Sequence, residues 1–165
     1  MPLFPQQLTA LAESIINAAR GKKLRLVTAE SCTGGLVSSC LTEIPGASDV
    51  FDQGFVCYSN GSKMLHLGVS RKTILDYGAV SAQAALEMAE GALRASGGDM
   101  AVSVTGIAGP GGGSAEKPVG LVYIGFAHGD KSYTLQNNFT GDRTEIRLKT
   151  VGAVLTMLKK EIDGL

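Results

Sequence analysis

Residues 24–35 read Leu24-Arg25-Leu26-Val27-Thr28-Ala29-Glu30-Ser31-Cys32-Thr33-Gly34-Gly35. The apolar run predicts a short buried strand over 24–28. A helix follows from about Thr33 to Thr42, stopped by Pro45-Gly46. A hydroxyl and a thiol therefore stand at a strand tip, beside a helix start whose backbone N–H groups lack partners and favour negative charge. Strand, polar turn and helix in that order are the opening of an α/β unit. A second stretch, Thr105-Gly106-Ile107-Ala108-Gly109-Pro110-Gly111-Gly112-Gly113-Ser114, again sets glycines and hydroxyls after an apolar strand, Met100–Thr105. Two such loops suit a phosphorylated small molecule.

Outward from these loops the pattern continues. Leu8, Leu11, Ile15, Ile16 and Ala19 recur at helical spacing, closed by Gly21. Asp52–Tyr58 reads as a strand, and Ser59-Asn60-Gly61 as a turn. A short helix over 62–67, one around Arg71–Tyr77 capped by Ser70, and an Ala-rich helix from Ser81 to Ala95 follow. Val119–Ala127 and Ser132–Phe139 are joined by a linker short enough for a hairpin. A final helix spans about Arg143–Ile162. In outline the order is αβαβααβββα, which predicts one domain over 1–165. Its sheet of about five strands is mixed and mostly parallel, with helices on both faces.

Composition narrows the function. A chain of 165 residues falls within the range of roughly 100–200 for one domain. At that size about 70% of the unfolded surface is buried, so no disulfide or metal is needed for folding. Fifteen basic and fifteen acidic residues cancel, which argues against general nucleic-acid binding. Three cysteines, at 32, 40 and 57, fit neither a disulfide framework nor a zinc site, and point to reduced thiols in the cytoplasm. Neither a signal peptide nor a stretch of about 20 apolar residues is found, so no membrane association is expected.

Ser31 is a candidate nucleophile, with the N–H groups of Cys32 to Gly35 facing a developing oxyanion. The commoner role for Ser31 or Thr33 is helix N-cap, and Glu30 either caps or orients a catalytic group. Cys32 competes as a thiol whose pKa a helix start would lower. The histidines, His66 and His128, occupy structural or exposed positions, so a Ser–His–Asp triad has little support. Tyr58 or Lys63 remains as base, flanking the turn at a strand end. Lys63 would need burial or a cationic neighbour to titrate far enough down. The 105–114 loop lacks the Gly-Lys-Ser/Thr ending of a P-loop and the full dinucleotide fingerprint. Gly106 and Gly109 still permit close approach of backbone to phosphate. Asp142 and Glu145 form a capping box at the last helix, where Arg143 and Arg147 share a face suited to phosphate or carboxylate.

Taken together, Ala29-Glu30-Ser31-Cys32-Thr33-Gly34-Gly35, Gly54-Phe55-Val56-Cys57-Tyr58-Ser59-Asn60, Gly78-Ala79-Val80-Ser81 and Gly106-Ile107-Ala108-Gly109-Pro110-Gly111-Gly112 resemble the C-terminal domain of competence/damage-inducible CinA proteins. Glu116-Lys117-Pro118-Val119-Gly120 and Gly141-Asp142-Arg143 continue the match through nearly the whole chain. The resemblance is to the standalone form, without the extra N-terminal domain of the long members. It implies a three-layer α/β/α sandwich and a homodimer needing no metal or cofactor. The implied activity is nicotinamide-nucleotide amidase. That enzyme is an amidohydrolase of linear carboxamides, releasing ammonia from nicotinamide mononucleotide in pyridine-nucleotide salvage. Ser31 falls on the family's nucleophile, Tyr58 and Lys63 on its polar turn, and Arg147 on an arginine of the last helix. Substrate contacts are then expected from Glu30, Thr33, Gly34, Gly35, Thr105, Gly106, Gly109, Gly111 and Arg147. Two other readings use the same loops: a non-catalytic nucleotide-phosphate-binding module linked to competence or DNA damage, and hydrolysis of a different amide or phosphorylated metabolite.

Overall fold

β1, Leu26–Glu30, lies inside the sheet, and every one of its residues is buried. In the computed structural model, which describes residues 1–165, it pairs in parallel with β2, Phe51–Val56, on one side. On the other side it pairs in parallel with β3, Met100–Gly106. β4, Leu121–His128, runs antiparallel to β3, and β5, Lys131–Asn138, antiparallel to β4. The sheet order is β2-β1-β3-β4-β5. Four of the five strands thus point the same way and only β4 opposes them, the mixed, mostly parallel sheet that the strand spacing predicts.

Strand alternation distributes the side chains between two layers of helices. Leu26, Met100, Val102, Val104, Ile124 and Phe126 form one core with α1, Gln6–Gly21, α2, Leu36–Thr42, and α6, Arg143–Asp163. Val27, Ala29 and Ala101 face the other way. They meet Leu67 of α3, Asn60–Leu67, and Met88 and Ala92 of α5, Ala82–Ala95. α4, Arg71–Tyr77, packs on α5. Each large aliphatic side chain so buried contributes about 1.5–3 kcal/mol. α3 seats on α5 through Gly91: a Cβ there would lie 1.7 Å from the carbonyl oxygen of Leu67.

Some boundaries depart from the expected ones. The first strand begins at Leu26 and extends to Glu30. The second helix begins at Leu36 rather than near Thr33, because Gly34 and Gly35 take φ of 59° and 98°. A right-handed helix cannot pass through that conformation, which glycine alone adopts cheaply. Three helices separate β2 from β3, the three segments expected there, one more than the outline order counts. The caps Ser70, Ser81 and Asp142 and the Asp142/Glu145 capping box all form as the sequence predicts. No helix is long and apolar enough to cross a membrane.

Candidate active site

The turn after β1, the β2–α3 turn and the loop after β3 all leave the sheet at the carboxyl ends of parallel strands. Open α/β sheets bind ligands at that edge. Ser31 is fixed there by its own N–H, which donates to the carbonyl of Val104 on β3. Lys63 arrives from α3, whose start is capped by Ser59 accepting from the Ser62 N–H. Its side chain runs inward and is 1% exposed. Lys63 Nζ stands 2.9 Å from Ser31 Oγ, 2.9 Å from the Cys57 carbonyl oxygen and 3.1 Å from that of Tyr58.

Burial pushes the Lys63 ammonium below its ordinary pKa. The nearby thiols Cys32 and Cys57 could hold the lysine charged only as thiolates, and burial pushes both of them up. No carboxylate bonds to Nζ. Nζ donates to all three oxygens, and loss of one proton would leave its lone pair facing the Ser31 hydroxyl. A buried lysine held against a serine hydroxyl is an arrangement that can serve as base and nucleophile.

Two side chains shape the turn after Ser31. The Glu30 carboxylate, 1% exposed, accepts from the N–H groups of Gly35, Val37 and Ser38 at 3.0, 3.0 and 2.8 Å, and from the Ser38 hydroxyl at 2.7 Å. From the opposite side Arg147 donates through Nε to the Cys32 carbonyl at 3.1 Å and through Nη2 to the Thr33 carbonyl at 3.0 Å. Gly34 N–H bonds to the Ser31 carbonyl. The N–H groups of Cys32 and Thr33 are left without partners in the turn.

This geometry corrects several expectations. Neither Ser31 nor Thr33 caps α2; its N-cap is Gly35, with no side-chain cap bond. The N–H groups of Gly35, Val37 and Ser38 are held by Glu30 and that of Leu36 by the Thr33 carbonyl, so they are not open to an oxyanion. Glu30 is saturated by these bonds and is not free to meet a ligand. Arg147 places two of its donors on backbone carbonyls, which ties it to the turn after Ser31. The Cys32 thiol is pushed up to about 11, chiefly by burial, instead of being lowered by the helix start. It is therefore a poor nucleophile beside Ser31.

The remaining predicted residues lie around this centre. Tyr58 reaches Lys63 through its carbonyl. Its ring is exposed and its hydroxyl accepts from Arg143 at 3.1 Å, so the phenol is engaged by Arg143 and has no hydrogen bond with Lys63. Thr105 is buried and donates to the Ala79 carbonyl at 2.7 Å. Gly106 and Gly109 make room for the chain itself: a Cβ would lie 2.7 Å from Val122 and 2.5 Å from Val119 respectively. Gly111 faces open space. The Thr33 hydroxyl is fully buried without a partner. His66 is exposed and His128 pairs with the Asp99 carbonyl, neither at the site. None of the three cavities is lined by Ser31 or Lys63; the largest, about 530 Å³, lies between β5 and α6. Sequence reasoning missed the Cys57 and Tyr58 carbonyls as seats for Lys63, since backbone acceptors leave no residue-type signal. It also missed Ser38, which an N-cap search centred on Ser31 overlooks.

With this geometry in hand, known proteins give a consistent match. The family model for the CinA C-terminal domain matches residues 8–162. The chain is 53% identical over 152 residues to a competence-damage inducible protein of Caldicellulosiruptor bescii. That alignment covers 92% of this chain but only 37% of the relative's length. It is 50% identical over 161 residues to the nicotinamide-nucleotide amidohydrolase PncC of Enterobacter agglomerans, covering 96% of this chain and 98% of that protein. Among solved structures, the competence/damage inducible protein CihA from Agrobacterium tumefaciens superposes with a TM-score of 0.95 at 49% identity, over 99% of both chains.

Proposed function

The chain belongs to the CinA C-terminal domain family, and we propose that within it the protein is a nicotinamide-nucleotide amidase. In this reading it hydrolyses the carboxamide of nicotinamide mononucleotide to nicotinic acid mononucleotide and ammonia. The observation that carries the reading is the 2.9 Å contact between Ser31 Oγ and the buried amine of Lys63. The similarity to the Enterobacter agglomerans amidohydrolase over nearly its full length supports the choice of substrate.

Neutral Lys63 takes the Ser31 proton as Oγ attacks the carboxamide carbon, made electrophilic by the pyridinium ring. The free N–H groups of Cys32 and Thr33 receive the oxyanion. Arg147 fixes the Cys32–Thr33 peptide by its carbonyl, so the opposite end of that peptide presents the Thr33 N–H. The carbon–nitrogen bond breaks and ammonia departs with the proton that Lys63 returns. Water then attacks the ester on Ser31, Lys63 takes its proton, and the acid is released as Ser31 regains a hydrogen. The pyridinium charge also disfavours a protonated Lys63. Tyr58 acts through its carbonyl, and the open face of the loop at Gly111 is available to the ribose. The same reading makes the protein a cytoplasmic homodimer of pyridine-nucleotide salvage, with no metal or cofactor.

Product analysis tests it. Incubation with nicotinamide mononucleotide gives ammonia and nicotinic acid mononucleotide in equal amounts by chromatography. A second reading, a module that binds the nucleotide without turnover, uses the same loops; saturable binding with unchanged nucleotide would support it.

A further inference from the structure

We infer that Arg143 is the anchor for the phosphate monoester of the substrate, and that it makes the site selective for a nucleotide over its nucleoside. The inference rests on the amidase reading for the direction in which the substrate lies.

Arg143 and Arg147 occupy one face of α6, about 6 Å apart along its axis, but they are engaged differently. Arg147 is half-buried and holds the Cys32 and Thr33 carbonyls, directly beside Ser31. Arg143 is one turn further out and exposed. It spans the crevice rim: Nη1 donates to the Gly109 carbonyl at 2.8 Å and Nη2 to the Tyr58 hydroxyl at 3.1 Å. These partners are neutral and leave further N–H donors unused. The chain's five ion pairs use Arg20, Arg25, Lys72, Lys131 and Lys159, so Arg143 has no carboxylate to satisfy its charge.

Tyr58 fixes the distance of this rim from the reacting end. Its carbonyl holds Lys63, and its hydroxyl holds Arg143. In the amidase reading, a substrate whose carboxamide meets Ser31 and whose other end lies along Tyr58 reaches Arg143 and the 109–113 loop. A phosphate monoester at that far end matches the planar fork of a guanidinium better than two neutral oxygens do. It would take Arg143 from the Gly109 carbonyl and leave the loop free to adjust around the ribose.

The test uses the intact protein with Arg143→Met, Arg143→Lys and, as a control on another exposed cation of α6, Lys149→Met. Calorimetry measures binding of ribose 5-phosphate and ribose. Initial rates are measured with nicotinamide mononucleotide and nicotinamide riboside. Arg143→Met is expected to weaken ribose 5-phosphate binding about ten- to a hundred-fold. The nucleotide-to-nucleoside ratio of kcat/KM should fall by a similar factor, mostly through KM. Arg143→Lys should recover part of each loss, and Lys149→Met should match wild type. The inference is overturned if Arg143→Met binds ribose 5-phosphate like wild type, or if wild type fails to prefer it to ribose. Binding that depends on Arg143 without release of ammonia from either substrate would keep the anchor and remove the amidase reading. Amide hydrolysis with an unchanged ratio in Arg143→Met would do the reverse.

Discussion

Lys63 carries the unusual energetics of the site, because a buried amine is stable only when neutral or paired, and this one has no carboxylate partner. Its lowered pKa has two consequences with definite signs. For activity, the base must be neutral. kcat/KM therefore falls as pH drops through the lowered pKa and holds above it, and a pH–rate profile reads this limb directly. Lys63→Arg keeps charge but cannot give up its proton, so turnover should drop by at least about a hundred-fold. For stability, the unfolded chain protonates Lys63 up to about pH 10.4, whereas the folded chain releases that proton at lower pH. Between these values the unfolded state binds more protons, so this group's contribution to stability increases as pH rises. Urea unfolding of wild type and Lys63→Met over a series of pH values up to about 10.4 checks the sign. The difference should shift toward wild type as pH rises.

At the scale of elements, the nucleophile turn is held between β1 and α2 by Glu30. Glu30→Gln replaces one accepting oxygen with a donor that faces the N–H groups at the start of α2. A cost of about 2–3 kcal/mol is expected, seen as a fall of roughly 5–10 °C in Tm. Turnover should fall further than the folded fraction explains. Gly91→Ala acts on the other loop: its Cβ would collide with the Leu67 carbonyl, displace α3, and so move Lys63 from Ser31. Destabilisation of about 1–3 kcal/mol, accompanied by lost activity at temperatures where the variant stays folded, would report that coupling. Much of this was legible in sequence. The apolar runs predict all five strands, and Ser70, Ser81 and Asp142 mark the starts of α4, α5 and α6, because those signals are local. The pairing of Ser31 with Lys63 was readable as a candidate through the family resemblance and the strand-end position. The tasks of Glu30, Arg147 and the Tyr58 carbonyl were not. Each depends on a contact with backbone, which any residue provides, and Arg147 reaches its partners across 115 and 114 positions of chain.

Across the whole molecule, the parallel half of the sheet does the positioning. β1, β2 and β3 end at one edge and deliver Ser31, the turn leading to Lys63, and the glycine loop to the same crevice, while α6 closes it with Arg143 and Arg147. The antiparallel hairpin of β4 and β5 completes the core, and the end of β5 at the same edge leads into α6. The proposed homodimer should sediment as a single species of twice the chain mass over a range of micromolar concentrations, and a monomer there would remove that part of the account. The central claim is that this frame makes Ser31 an amidase nucleophile. It is tested most directly by the rate of ammonia release from nicotinamide mononucleotide by purified, chelator-treated protein, with Ser31→Ala and Cys32→Ala measured alongside. The account predicts steady release by wild type and Cys32→Ala, and none by Ser31→Ala. Release by Ser31→Ala, or dependence on Cys32 instead, would contradict it.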